Sequence, residues 1–175
     1  FVASLLKMAD RYATIDNFEG AVATTREVLR LGPSNSRIIE NAGVLYAALK
    51  RLKRYNTIDD DVQLITDALV RHRSRVDVTG EQRKALDSEF EAYVRDLLTS
   101  AQGQMVKMKK KGDKVKRARL LAEAYDTYVA NFPKADELPS MLLNFTDVLA
   151  IAELEFEAGL RSLEAVGIMP TEEDR

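Results

Sequence analysis

One histidine and no cysteine stand among the 175 residues, and those two counts decide most of the available chemistry. Without cysteine there is no disulfide, no thiolate metal site and no cysteine nucleophile. A Ser–His pair or a histidine metal cluster would have to rest on His72 alone. His72 lies in Arg71-His72-Arg73-Ser74-Arg75, where flanking guanidinium groups disfavour an imidazolium. No second histidine stands at ligand spacing, so this segment reads as a helix end rather than a metal site. Asp59-Asp60-Asp61 has the charge for calcium but lacks the glycine and the distant bidentate glutamate of a calcium loop. Acids opening a helix are the plainer reading. Neither GxGxxG nor GK[ST] occurs, so no phosphate-cradling loop is present. The expectation is a chain with no catalytic residue, no metal and no cofactor.

The sharpest charge feature is the run from Lys107 to Arg119. Lys107, Lys109, Lys110, Lys111, Lys114, Lys116, Arg117 and Arg119 stand against Asp113 alone, in a chain of net charge −2. Such a cluster attracts phosphates, anionic lipid or acidic protein surfaces. It holds no aromatic residue, which removes base stacking, and the overall charge balance argues against nucleic acid. An acidic protein surface is the expected partner, and self-association of basic corner on acidic face follows from the same asymmetry. The bland alternative is a solvated helix–turn–helix corner, with cations welcome at the first helix's C-terminus.

The elements that must position these residues are helical. The chain is 46% hydrophobic, enough for a core without staples, and no apolar run is long enough to cross a membrane. Only eight glycines and four prolines interrupt a 3–4 residue apolar period, and no stretch alternates long enough for a strand. Leu5, Met8, Ala9 and Tyr12 form one stripe; Phe18, Ala21, Val22, Thr25, Val28 and Leu29 form the next. Gly32-Pro33 stops that helix, and Ser34 or Asn35 caps the following one, whose stripe is Ile39, Ala42, Gly43, Tyr46 and Leu49. Thr57 caps a helix facing inward with Val62, Ile65 and Leu69. Thr79 with Gln82 has capping-box spacing and opens a long helix to Lys111, about 50 Å if Gly103 does not break it. Gly112-Asp113 ends it. Helices over 114–131, stopped by Pro133, over 139–153 and over 155–166 complete a set of about eight. The fold class is all-α.

An internal repeat organises them. Leu5-x-x-Met8-Ala9-x-x-Tyr12 returns as Ile39-x-x-Ala42-Gly43-x-x-Tyr46, each position 34 residues on. Ala21, Thr25, Val28 and Pro33 supply a second-helix pattern. Together these resemble the tetratricopeptide repeat, a helical hairpin in which small residues let two helices approach and the tyrosine fills the gap between hairpins. Leu121-x-x-x-Tyr125-x-x-Tyr128 keeps the step to Pro133, and Phe156-x-x-Gly159-x-x-x-Leu163-x-x-Val166 copies the spacing from Phe18 to Val28. The resemblance implies a right-handed stack of four hairpins over 1–35, 36–77, 78–135 and 136–169, one domain, with a loose polar tail at 170–175. In that stack Gly43 stands at a close approach, where a larger side chain would force helices apart.

The family holds extended peptides or helices in a concave groove lined by first helices. Carried over, the groove takes Lys7 and Asp10 with Ala3, Thr14 and neighbouring Leu6 in the first hairpin, and Arg37, Asn41, Val44 and Ala48 in the second. The co-chaperone subfamily grips carboxylate tails through lysine and asparagine at the places of Leu6 and Asp10, so that use is rejected. The resemblance implies a non-catalytic scaffold or adaptor in a multiprotein assembly. The rival is a helical domain or regulatory subunit of a larger enzyme. The segment AEAYDTYVANFP resembles repeats of bacterial envelope proteins, which implies the periplasmic side of a cell envelope. Phe1 opens the chain inside an apolar pattern, which predicts a piece of a longer or processed protein.

Overall fold

The computed structural model describes residues 1–32, 37–75 and 77–168. Eight helices and no strand occur among them: α1 (Val2–Thr14), α2 (Phe18–Leu31), α3 (Arg37–Leu52), α4 (Ile58–Arg73), α5 (Gly80–Val106), α6 (Lys111–Asn131), α7 (Leu138–Ile151) and α8 (Glu155–Ile168). The all-α expectation stands at that level. Pro33, Ser34 and Asn35, expected at a helix stop and cap, and the 170–175 tail lie outside the described residues. The chain divides into two compact units, Phe1–Leu97 and Leu98–Arg175, with α5 contributing to both.

In the first unit α1 packs on α2 and α3, α2 on α3 and α4, and α3 on α4. Local signals place the helix ends. Asn17 caps α2 by accepting from the Gly20 amide at 3.0 Å. Gly32 closes it at φ 59°, a left-handed geometry that glycine adopts without a Cβ penalty. Thr79 and Gln82 exchange the two bonds of a capping box at 2.9 and 3.2 Å. The core runs through Ala9, Ala21, Val28, Ile38, Leu45, Ile58, Ile65 and Leu69. The buried face is turned one residue forward of the expected stripe on α1 and one residue back on α3, so the 34-residue match is not kept in burial. Leu6, Ile38, Leu45 and Ala48 are inside, while Met8 is exposed.

Two expectations about close approach change. A Cβ on Gly43 would meet nothing within 4 Å, so no helix presses there. Gly20 is tight instead, where a Cβ would lie 2.9 Å from both the Tyr12 ring and the Asn17 amide. Tyr12 therefore packs within its own hairpin. Tyr46 reaches the next one, stacking on Tyr93 of α5 at 4.2 Å between ring centroids.

In the second unit α7 packs on both α6 and α8. Tyr125 stacks on Phe145 at 5.4 Å, and Tyr128, Leu121, Leu142 and Val148 are buried with them. The long helix ends at Val106, not at Lys111, and Gly112-Asp113 sits inside the first turn of α6. Asp113 is favourable there against the helix dipole, and Gly112 terminates nothing. Gly103 leaves α5 unbroken.

The turns of two hairpins match atom for atom. Asp16 and Glu153 adopt φ of 58° and 63°. Ile15→Arg11, Asp16→Ala13, Asn17→Tyr12 and Ala21→Asn17 amide–carbonyl bonds recur as Ala152→Val148, Glu153→Ala150, Leu154→Leu149 and Ala158→Leu154. This register aligns Ala21 with Ala158 and Val28 with Ala165, all buried. It displaces by one the spacing match of Phe18 with Phe156. Phe156, Leu163 and Val166 are 76%, 72% and 65% exposed, so that apolar stripe points outward.

Candidate partner-binding surfaces

The residues assigned to a groove divide by burial. Lys7, Asp10 and Arg37 are exposed, and Arg37 reaches from α3 to Asp10 on α1 at 3.3 Å. Val44 is half-buried. Asn41 and Ala48 are interior, at 3% and 2% exposure. The Asn41 amide nitrogen donates to the Arg37 carbonyl at 2.7 Å, and its Oδ1 is buried without a partner. A segment lying along α1 and α3 would thus meet Lys7, a neutralised Asp10–Arg37 pair and the edge of Val44. It would not meet Asn41 or Ala48.

The basic residues are split between two elements. Lys107, Lys109 and Lys110 occupy the connector between α5 and α6, and Lys110 is the N-cap of α6 without a side-chain cap bond. Lys111, Lys114, Lys116, Arg117 and Arg119 follow on α6. Lys114 and Arg117 are half-buried; the other six are exposed. Lys111 pairs with Glu153 at 2.9 Å, which holds that carboxyl below its usual range. Arg119 Nε donates to the Ala152 carbonyl at 3.5 Å. Because the first helix ends earlier than expected, Lys110, Lys111 and Lys114 lie at a helix N-terminus rather than at a C-terminus. The dipole opposes them there.

Asp61 belongs to a contact that sequence reasoning missed. It is fully buried and takes a two-pronged bond from Arg26 of α2, Nε at 2.7 Å and Nη2 at 2.8 Å. Thr57 adds 3.2 Å to the carboxylate and accepts from Arg26 at 2.7 Å, so its hydroxyl makes no backbone cap. The bond to Asp61 raises the Arg26 pKa against the opposing effect of burial. Asp59 and Asp60 remain first-turn acids, as read.

A second cluster sits between α3 and α5. Asp96 accepts from Tyr46 Oη at 2.8 Å and from Lys50 at 2.7 Å. Burial first, and Asp96 second, push the Tyr46 hydroxyl up to about 12, so it donates at any physiological pH. His72 borders an open pocket of about 360 Å³ whose lining includes Arg75, Asp77, Val78 and Leu86. Its Nδ1 is buried without a partner, and burial ahead of Arg75 lowers its pKa. Arg71 and Arg73, the expected cause, turn away to the Leu29 carbonyl and Asp87.

In the second unit a cleft of about 540 Å³ opens between α6, α7 and α8. Its floor is Ala122, Phe145 and Leu149, its rim Arg119, Glu123, Glu157 and Leu160. Arg161 crosses it, bonding Asp126 at 2.6 Å and Glu164 at 2.7 Å over the Phe145 ring. Leu160 joins the cleft to the outward stripe of α8. That helix is apolar on two opposite faces, Ala158 and Ala165 inside, Phe156 and Leu163 outside. A helix of this kind is normally covered on both.

Among the described residues no group of three or more His, Asp or Glu is placed to hold a metal, and no helix is long and apolar enough to cross a membrane. No family model, no curated protein and no solved structure matches the chain, so its features stand on their own geometry.

Proposed function

We propose that this chain is a protein-interaction module, a stack of helical hairpins of tetratricopeptide type that serves as a non-catalytic scaffold or adaptor. The observation that carries the reading is uncovered apolar surface on an ordered helix, the Phe156, Leu160 and Leu163 stripe of α8 beside its cleft. Large apolar patches rimmed by charge mark interaction sites. Two further features support the stack. Alternate helices touch, α1 with α3 and α2 with α4, and the turns at Asp16 and Glu153 share one hydrogen-bond pattern. In a stack of this kind α1 and α3 would line the concave side, with Lys7, Asp10, Arg37 and Val44 toward a bound segment. A bacterial envelope assembly is the setting this reading favours.

Cross-linking in the source cells, followed by equilibrium binding of each recovered protein, tests it. A stoichiometric partner that loses at least about tenfold affinity to Lys7→Glu with Val44→Glu supports the reading. Turnover of a small molecule by the parent, abolished by the same pair, overturns it in favour of an enzyme domain.

The exposed Lys107, Lys109, Lys110 and Lys116 favour a second, subsidiary contact with an acidic protein surface. Lys109→Glu with Lys110→Glu should weaken that contact and its salt dependence. Binding to duplex DNA or to anionic vesicles, lost in the same variant, would replace the protein partner.

A further inference from the structure

We infer that the outer face of α8 docks helix α1 of a second copy of this chain. The matched turns fix which positions correspond. On α2, Glu19, Arg26 and Leu29 meet the hairpin that follows: Glu19 pairs with Arg54, Arg26 with Asp61 at 2.7 Å, and the Leu29 carbonyl accepts from Arg71 at 3.2 Å. In the register set by Asp16 and Glu153, those positions on α8 are Phe156, Leu163 and Val166. Leu160 lies between them, and all four are exposed. The face that α2 gives to a neighbouring hairpin is therefore present on α8, apolar and uncovered.

Helix α1 carries the reciprocal deficiency. Leu5, Met8 and Tyr12 correspond to Leu142, Phe145 and Leu149 of α7, which are buried, with Phe145 stacked on Tyr125 of α6. On α1 Leu5 and Tyr12 are only half-buried and Met8 is exposed; Phe1 and Ile15, both exposed, extend the same 4-3-4-3 stripe. A stripe of that spacing is one continuous helical face.

Charge selects the pairing. The α8 stripe is flanked by exposed Glu157 and by Glu164, which shares Arg161 with Asp126 and so leaves that trio net negative. The α1 stripe is flanked by exposed Lys7 and Arg11. Two α8 faces would bring glutamates together, whereas α1 on α8 brings opposite charges together. The contact pairs two different faces, so copies either exchange both contacts in a closed dimer or, making one each, continue beyond two chains.

Sedimentation velocity over a concentration series tests this on the full chain, with helical content checked by circular dichroism. The parent should associate, as a closed dimer or beyond it. Leu160→Glu with Leu163→Glu, and separately Met8→Glu, should each stay monomeric. Mixed in equal amounts, the two should form a species of two chains and nothing larger, because each supplies the face the other lacks. Glu157→Lys with Glu164→Lys should weaken association at least about tenfold, and mixing it with Lys7→Glu, Arg11→Glu should restore it. The charge variants keep the test intact should the apolar ones misfold. A parent that remains monomeric, a Met8→Glu chain that still dimerises through α8, or a mixture that stays monomeric overturns the inference.

Discussion

Removing Arg26 should cost the first unit about 1–4 kcal/mol, against about 1–3 for removing its partner Asp61. Asp61 is fully buried near the start of α4, whereas the Arg26 side chain is 25% exposed. Arg26→Met strips two bonds of 2.7 and 2.8 Å and leaves a carboxylate whose described side-chain donor is Thr57 at 3.2 Å. An uncompensated buried charge costs about 3–5 kcal/mol, and the positive end of α4 returns at most about 1–2 of that. Asp61→Asn leaves a guanidinium that can turn toward water and keep Thr57, so about 1–3 kcal/mol is lost. Replacing both, Arg26→Met with Asp61→Leu, should cost at least about 1 kcal/mol less than the two single losses added. Urea unfolding gives the totals, and hydrogen exchange at α2 and α4 amides assigns the loss to this contact. Strict additivity, or an Arg26→Met loss below about 1 kcal/mol, would refute the view that a buried two-pronged pair ties α2 to α4.

Three other outcomes follow from the same structure. Gly20→Ala should destabilise by about 1–3 kcal/mol, because its Cβ would meet the Tyr12 ring at 2.9 Å, while Gly43→Ala should stabilise by about 0.5–1 kcal/mol in open space; urea midpoints of the two variants check the contrast. Thr79→Ala should cost about 1 kcal/mol by opening the capping box, read as faster amide exchange in the first turn of α5. His72 has a lowered pKa from burial first and Arg75 second, so the unfolded chain takes up its proton at higher pH than the folded one. Stability should be full above the ordinary value of 6.5, fall as pH drops through it, and stop falling below the lowered native value. Melting at pH 7.5 and at pH 5, for the parent and His72→Gln, should show that part of the dependence only in the parent.

Local order was legible in the residues because it is written over a few positions. The Thr79–Gln82 box, the Gly32 stop, Pro139 at the start of α7 and the eight-helix count each rest on neighbours within about one turn. The boundary between α5 and α6 was misplaced because Lys107–Lys110 contains no glycine or proline, whereas Gly112, the apparent breaker, is tolerated in a first turn. What periodicity does not carry is direction. α8 has apolar residues on two opposite faces, and only the turn through Glu153 decides that Ala158 and Ala165 go inside and Phe156 and Leu163 outside. Asp61 looks like its neighbours Asp59 and Asp60 until α2 brings Arg26 to it across 35 residues. Gly43 and Gly20 are alike as letters, and only the positions of the Tyr12 ring and the Asn17 amide make one of them a contact. The sequence by itself determined which segments coil. The tertiary structure decided which face each helix buries and which it leaves for a partner, because burial depends on what the other helices bring near.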